Sequence, residues 1–274
     1  MKTSLILYKN ALNSKYTAHE ISLMFRELAS KHCDIPIQKL YFLEDIVCTE
    51  QQKHLLQNDL DRLCAGEPFQ YVLGYTEFCG LKLNVDENVL IPRQETSELI
   101  EWIARSEKKV GKILDVGTGS GCIALALKKQ YPEAEVWAVD KSAGALQVAS
   151  KNADETALFV NFKQFDMLTD LDALDSDFDI VVSNPPYIMP SEKAEISDEV
   201  LNFEPHMALF VPENDPLIYY RAVAEFAFKC DSAVYFEINP LLSTQTCEML
   251  MEIGFQEIEI KKDISKKPRM IWAK

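Results

Sequence analysis

Residues 112–127 have the sequence KILDVGTGSGCIALAL, and this stretch decides the fold class of the chain. Its apolar start at 113–116 predicts a strand, and its apolar end predicts a helix. Between them lies a turn of small residues, Gly117, Thr118, Gly119, Ser120 and Gly121. Glycines adopt positive φ angles and let a ligand approach the backbone closely. A strand, a glycine turn and a helix in this order predict a nucleotide-binding site at one end of an α/β sheet.

The sequence beyond this stretch continues the alternation of strands and helices. Strands are predicted at 113–116, 136–140, 159–164, 178–183, 233–238, 255–261 and 270–273, and helices at 121–130, 142–153, 216–229 and 241–253. Such alternation predicts a mostly parallel, doubly wound sheet with helices on both faces.

Residues 1–70 predict helices rather than strands. Thr17 with Glu20, and Thr49 with Gln52, have the spacing of capping boxes, in which each side chain bonds to the other residue's backbone N–H. Each pair precedes apolar residues at helical spacing, which indicates an ordinary helical core. We expect this part of the chain to recognise a partner or substrate.

The connector at 71–92 predicts a β-hairpin. Residues 78–85 alternate between apolar and polar, 86–88 are turn residues, and 89–91 are apolar again. We therefore expect the hairpin turn at 86–88, followed by a helix over 95–105.

Acidic residues indicate which ligand the glycine turn holds. Asp140 ends the second predicted strand, 19 residues after Gly121, where a carboxylate accepts from both ribose hydroxyls. Asp115 precedes the turn, where an acid is unfavourable beside a pyrophosphate but suits the α-ammonium of S-adenosylmethionine. Asp166 follows the third strand and either accepts from the adenine amine or is a strand-end turn residue. Met167 borders the same crevice. The pattern therefore favours S-adenosylmethionine over a dinucleotide.

The fourth predicted strand ends in four residues that suit a planar –NH2 group, Asn184, Pro185, Pro186 and Tyr187. The Asn184 side-chain oxygen and the Pro185 carbonyl can accept its two N–H bonds, because prolines donate none and leave neighbouring carbonyls free. Tyr187 offers a flat face to the amide plane. Ligands of doubly wound sheets bind beyond the carboxyl ends of the strands, so these residues face both cofactor and substrate. An ordinary turn after a strand is the alternative.

Composition excludes several other classes of protein. The chain has 274 residues and a net charge of −15, which argues against extended binding to nucleic-acid phosphates. The sequence contains no run of about 18 apolar residues, so it predicts no membrane span. The apolar stretch near its start is too short for a signal peptide. The seven cysteines show no C-x-x-C spacing, and no H-E-x-x-H occurs. We expect reduced cysteines, no bound metal and a cytoplasmic location.

At this point the chain resembles the release-factor glutamine methyltransferases of the PrmC/HemK family over nearly its whole length. The motifs that carry the resemblance are Gly66-x-Pro68-x-Gln70-Tyr71-x-Leu73-Gly74, Phe78-x-Gly80, Val89-Leu90-Ile91-Pro92-Arg93-x-Glu95-Thr96, the glycine turn, Asp140, Asn184–Tyr187, Glu204-Pro205 and Glu237-Ile238. Adenine methyltransferases in general have Asn-Pro-Pro-Tyr without the Ile-Pro-Arg-x-Glu-Thr stretch.

The resemblance implies a class I S-adenosylmethionine methyltransferase fold with a seven-stranded sheet, a small helical N-terminal domain and a hairpin linker. The implied boundaries are 1–70, 71–92 and 93–274. It also implies methylation of the glutamine side-chain nitrogen in the Gly-Gly-Gln loop of class-I peptide chain release factors. Arg93, Glu95 and Thr96 are expected near the cofactor entrance. Arg93 is expected there as a substrate-binding residue, or else as a salt bridge that braces the linker.

Departures from the family pattern affect loops rather than the motifs. Gln94 and Ser97 replace a frequent Pro and acid, and Asn239 and Lys266 each replace a frequent Gly. The stretch at 210–215 lacks a frequent Gly-Gly.

Two other functions stay open from the residues alone. One is a nucleic-acid methyltransferase acting on adenine N6 or guanine N2, and the other is a nucleotide-binding module or NAD-dependent enzyme.

Overall fold

The computed structural model describes residues 1–41, 47–174 and 177–274. The chain divides into two compact units. One comprises Met1–Gly74 and Asp198–Phe203, and the other comprises Tyr75–Ser197 and Glu204–Lys274. The predicted division at residues 70 and 92 stays a proposal.

The first unit is helical, as its sequence predicts. Its helices are α1 (Lys2–Leu12), α2 (Ala18–Cys33), α3 (Glu50–Cys64) and α4 (Phe69–Leu73), joined by α8 (Asp198–Phe203) from later in the chain. Both predicted capping boxes are confirmed: Thr17 and Glu20 cap α2 reciprocally, and Thr49 and Gln52 cap α3. The apolar stripes form the core of this unit, in which Phe25 packs edge-on against Tyr8.

The second unit contains a hairpin and a large sheet. Its strands are β1 (Tyr75–Phe78), β2 (Leu81–Asn84), β3 (Lys112–Val116), β4 (Glu135–Asp140), β5 (Asn161–Gln164), β6 (Ile180–Ser183), β7 (Ala233–Glu237), β8 (Ile258–Lys262) and β9 (Pro268–Ala273). Its helices are α5 (Gln94–Ser106), α6 (Cys122–Gln130), α7 (Ala143–Thr156), α9 (His206–Leu209), α10 (Ile218–Lys229) and α11 (Ser243–Ile253).

The described strands confirm the predicted α/β sheet. Seven of them form one sheet in the order β5-β4-β3-β6-β7-β9-β8. Neighbours are parallel except for β9, which runs antiparallel to both β7 and β8. Strand order reverses beside β3, because β4 lies on one side of it and β6 on the other. Such a switch point opens a ligand crevice at the carboxyl ends of the strands.

Two apolar layers cover the faces of this sheet. Side chains alternate along β3, so Ile113 packs on one face and Leu114 and Val116 on the other. Burial of each such side chain contributes about 1.5–3 kcal/mol to the free energy of unfolding. Helices therefore cover both faces and leave the strand ends to form the site.

The hairpin is present, but the prediction that its turn lies at 86–88 is wrong. The turn is at Cys79 and Gly80, whose φ angles are 49° and 68°. Two positive φ angles define the type I′ turn, whose twist suits a two-residue hairpin. Residues 89–91 form no strand, because the backbone N–H of Ile91 donates to the Glu204 carboxylate instead (3.2 Å).

Candidate active site

A cleft opens at the carboxyl ends of β3, β4 and β6, where the strand order reverses. It encloses about 1110 Å³ of empty space including its open mouth. Ten of the predicted site residues line it: Arg93, Gly117, Thr118, Gly119, Ser120, Asp140, Asp166, Met167, Asn184 and Pro186. Gly121, Pro185 and Tyr187 are not part of this lining.

The glycine turn has the shape that its sequence predicts. Gly117, Gly119 and Gly121 have φ angles of 77°, 55° and 81°. A Cβ atom on Gly117 would lie 3.1 Å from Met167 Cε, whereas one on Gly119 would meet no atom within 4 Å. The middle of the turn therefore faces open space in which a ligand can approach the backbone.

Asp140 is held rigidly at the end of β4. Its Oδ2 accepts from the Gly119 N–H (2.9 Å), and its Oδ1 accepts from the Ser142 N–H (2.8 Å). Burial raises the pKa of Asp140, while these backbone donors oppose that shift. Because each carboxylate oxygen has a further lone pair, the group can still accept from two ribose hydroxyls.

Asp115 does not line the cleft, so the predicted contact between this acid and the cofactor ammonium finds no support here. Its fully buried carboxylate accepts from Thr118 Oγ1 (2.6 Å) and the Ala124 N–H (3.1 Å), which ties the glycine turn to α6. Within the described ranges its Oδ1 atom has no hydrogen-bond partner. Burial raises the pKa of Asp115 to about 7.

Asp166 is a strand-end turn residue, one of the two roles that the sequence leaves open, and it also lies in the lining of the cleft. Its Oδ1 accepts from the Leu168 N–H (3.0 Å) as a turn residue does. Its Oδ2 pairs with Lys141 (2.8 Å), which lowers the pKa of Asp166. Contact with an adenine amine stays a prediction, as does contact between Met167 and the base.

The Asn184 side chain ends a hydrogen-bonded chain that sequence reasoning missed. Thr96 Oγ1 donates to Glu237 Oε2 (2.6 Å). Thr96 Oγ1 also accepts from Asn184 Nδ2 (3.4 Å). Tyr187 donates to the other Glu237 oxygen, Oε1 (3.0 Å). This chain orients the Asn184 amide with its carbonyl oxygen available as an acceptor.

Glu237 anchors that chain from the end of β7. Its carboxylate is almost fully buried, and burial raises its pKa while the bonds from Thr96 and Tyr187 lower it. A signal was present in the sequence, since an acid directly after the buried run at 233–236 needs partners inside the fold.

Arg93 forms the brace that was one of its two predicted roles. Its Nη2 donates to Glu204 Oε1 (2.6 Å), and Glu204 is almost fully buried. The same carboxylate holds Ile91, so the segment along the cleft wall is fixed at two points. A direct role of Arg93 in substrate binding stays a prediction.

Asn239, a departure from the family pattern, has a structural consequence. Its side-chain nitrogen donates to the Tyr187 carbonyl (3.0 Å) and to Glu192 Oε2 (2.8 Å). Glycine provides no such donor. The chain therefore adds a brace behind the Asn-Pro-Pro-Tyr segment.

The residues of the cleft suit S-adenosylmethionine. Asp140 brings negative charge to it, whereas Lys141 is already paired with Asp166 and Arg93 with Glu204. A cationic sulfonium and ammonium is favoured in such a field, and a pyrophosphate is not. The fold and the site together define a class I S-adenosylmethionine-dependent methyltransferase.

Comparisons with known proteins give the family. Residues 7–74 match the PrmC N-terminal domain model, and residues 94–203 match the methyltransferase small domain model. A release factor glutamine methyltransferase from Flavobacterium psychrophilum is 41% identical over 96% of this chain and 95% of its own. One from Bacteroides thetaiotaomicron is 36% identical, with 97% and 96% covered. The chain belongs to the release factor glutamine methyltransferase family.

Solved structures agree on the fold. The hMettl16 catalytic domain in complex with MAT2A 3′UTR hairpin 1 aligns with a TM-score of 0.57 at 16% identity, covering 82% of this chain and 80% of its own. A human methyltransferase 10 domain containing protein aligns with a TM-score of 0.51 at 18% identity, covering 71% and 88%. These likenesses concern the fold alone.

The described part of the chain contains no metal site, no disulfide and no membrane-spanning helix. Its His, Cys, Asp and Glu side chains form no group of three that could hold a metal ion. All seven cysteines are free thiols. Over the same residues, no helix has both the length and the apolar character needed to cross a bilayer.

Proposed function

We propose that this chain transfers the methyl group of S-adenosylmethionine to the side-chain amide nitrogen (N5) of the glutamine in the Gly-Gly-Gln motif of class-I peptide chain release factors. This modification would support translation termination in the cytoplasm. The observation that carries the proposal is the orientation of Asn184 by Thr96 and Glu237 at the rim of the cofactor cleft. The names of the relatives support glutamine as the acceptor.

The residues of the cleft have distinct roles toward the cofactor. The glycine turn would surround its amino-acid end, Asp140 would accept from the ribose hydroxyls, and Asp166 with Met167 would border the adenine. When bound, S-adenosylmethionine supplies an electrophilic methyl group on a sulfonium. The buried Asp115 shapes the turn through its bonds from Thr118 and from the Ala124 N–H of α6.

The glutamine amide requires positioning more than activation by a base. Its nitrogen is a weak nucleophile because the lone pair is delocalised into the carbonyl. Asn184 Oδ1 and the Pro185 carbonyl would accept its two N–H bonds, and Tyr187 would pack on the amide plane. These bonds aim the nitrogen at the methyl group and favour pyramidalisation, which frees the lone pair. Positioning of this kind contributes roughly 7–11 kcal/mol.

Glu237 is placed as a support rather than as a general base. Glu237 does not line the cleft, and Thr96 and Tyr187 each donate to one of its oxygens. The methylated nitrogen can lose its proton to water, and the mechanism needs no other acid or base.

The substitution Asn184→Ala tests the proposed acceptor. We expect it to abolish methylation of a release factor, because one of the two N–H acceptors is lost. Binding of S-adenosylhomocysteine, measured by calorimetry, should stay within about threefold of wild type, since the glycine turn and Asp140 are untouched. Turnover near the wild-type rate would contradict the proposal.

A further inference from the structure

The β8–β9 hairpin carries a concentration of positive charge that the proposed chemistry does not use. Residues 261–269 contain five basic residues and one acid, whereas the whole chain has a net charge of −15. Of the basic residues, Lys261 lies over the Trp102 ring (5.4 Å), and Arg269 pairs with Asp263 (3.3 Å). Three lysines remain: Lys262, Lys266 and Lys267.

The strand register places this hairpin tip at the catalytic rim. Glu237, the last residue of β7, pairs with Met270 of β9, and Lys262 of β8 pairs with Pro268. Residues 263–267 therefore project beyond the same strand ends that hold Asn184 and Tyr187. The Ile238 N–H donates to the Arg269 carbonyl (2.8 Å), which holds Arg269 beside the end of β7.

The tip is a built structure rather than a loose loop. Asp263 is almost fully buried, and its carboxylate accepts from the Lys267 N–H (2.9 Å) as well as from Arg269. The Ile264 N–H donates to Glu98 of α5 (3.4 Å). These bonds fix the backbone from within, so the remaining side chains are presented outward.

The outward side chains are exposed and without ionic partners. Lys262, Lys266 and Lys267 are exposed, and no ion pair to them occurs within the described residues. Ile264 between them is 86% exposed. Lys266 has a φ of 64°, a conformation that costs a non-glycine residue about 1–2 kcal/mol. The chain thus keeps a lysine at a position where glycine would fit without strain.

We propose that this basic hairpin tip, formed by Lys262, Ile264, Lys266 and Lys267, is a docking surface for an acidic segment of the protein substrate. The inference rests on the proposed function, in which the substrate is a protein whose loop enters the adjacent cleft. The three ammonium groups attract carboxylates on the incoming protein, and Ile264 provides an apolar contact among them. A strongly acidic enzyme repels an acidic partner elsewhere, so a local positive surface also orients the encounter.

The double substitution Lys266→Glu/Lys267→Glu tests this surface. Methylation is measured against release factor concentration at saturating S-adenosylmethionine and at two salt concentrations. We expect KM for the release factor to rise about tenfold, with kcat within about twofold, since rim charges act on association. The increase of wild-type KM with salt should be reduced in the variant, because the attraction is screened within about 10 Å at 0.1 M salt.

Lys108→Glu/Lys109→Glu is the matched control. These two exposed lysines precede β3, at the opposite end of the sheet, and their reversal changes the net charge by the same amount. We expect a wild-type KM for this variant. Thermal unfolding and S-adenosylhomocysteine binding of both variants establish that they are folded.

The outcomes separate the two proposals. If wild type methylates no release factor glutamine, the proposed function fails. If wild type is active but the Lys266/Lys267 variant has a wild-type KM, the docking surface is refuted. The same result is expected if the tip binds RNA instead. Equal increases of KM in both variants would also overturn the proposal, since they would report net charge alone.

Discussion

At the scale of single residues, the central feature is the chain of bonds from Glu237 through Thr96 to Asn184. An amide side chain has a donor end and an acceptor end, and its orientation decides which end a substrate meets. Here the Thr96 hydroxyl donates its hydrogen bond to the Glu237 carboxylate. Its oxygen can therefore only accept from Asn184. A buried anion thereby makes Asn184 an acceptor.

Thr96→Val tests this orientation. Valine keeps the shape of threonine but neither accepts from Asn184 nor donates to Glu237. We expect kcat to fall roughly tenfold to a hundredfold, since small misplacement at a reacting group has effects of that size. S-adenosylhomocysteine affinity should change little. Thr96→Ser, which retains the hydroxyl, should restore most of kcat; equal losses in both variants would contradict the account.

Asp115 gives a prediction for the dependence of stability on pH. Burial raises the pKa of Asp115 from its ordinary value of 3.8 to about 7, so the folded state binds this proton more tightly than the unfolded chain. Its contribution to stability is greatest below pH 4 and is lost as the pH rises through 7. Relative to Asp115→Asn, the unfolding free energy of wild type should fall by about 2–3 kcal/mol between pH 5 and 8. Chemical denaturation at several pH values measures this, and a difference between the two proteins that is independent of pH would contradict it.

The glycine turn and Asp140 could be predicted because each directly follows a strand that the sequence shows. Asp140 follows its strand and the glycine turn follows β3, so order along the chain is sufficient. Glu237 lies 141 residues from Thr96, and no pattern in the chain indicates that pairing. Asp115 was misplaced for a related reason, since its position in β3 was visible but the direction of its side chain was not.

At the scale of elements, the β1–β2 hairpin is joined to the glycine turn through Asn152 of α7. Asn152 is fully buried; its side-chain oxygen accepts from the Asn84 N–H (2.6 Å), and its nitrogen donates to the carbonyls of Asn84 (3.0 Å) and Ser120 (2.9 Å).

The capping boxes of α2 and α3 could be predicted because each lies within four residues. The hairpin turn could not, because Cys79 has to adopt a positive φ that its residue type does not suggest.

Asn152→Ala should therefore weaken both the β1–β2 hairpin and the glycine turn. It leaves several buried backbone groups without partners, each costing about 1–3 kcal/mol. We expect a lower melting temperature and weaker S-adenosylhomocysteine binding, measured by calorimetry. An unchanged melting temperature would show that water or a local shift replaces these bonds.

At the scale of the whole molecule, the net charge favours a protein substrate over a nucleic acid. The acidic balance of −15 argues against holding a nucleic acid through phosphates, although the cleft itself would accept an exocyclic base amine equally well. The mostly parallel sheet could be predicted from the alternation of strands and helices, whereas the order of its strands and the antiparallel β9 could not. The choice between a protein and a nucleic acid therefore depends on the family, on the surface around the cleft and on direct assay.

The most direct test of the central claim is to incubate the purified protein with methyl-labelled S-adenosylmethionine and a class-I release factor, and in parallel with RNA and DNA. Mass spectrometry of the digested release factor then locates the label. We expect one added methyl group on the glutamine of the Gly-Gly-Gln motif and none on nucleic acid. Label on adenine or guanine, with an unmodified glutamine, would contradict it.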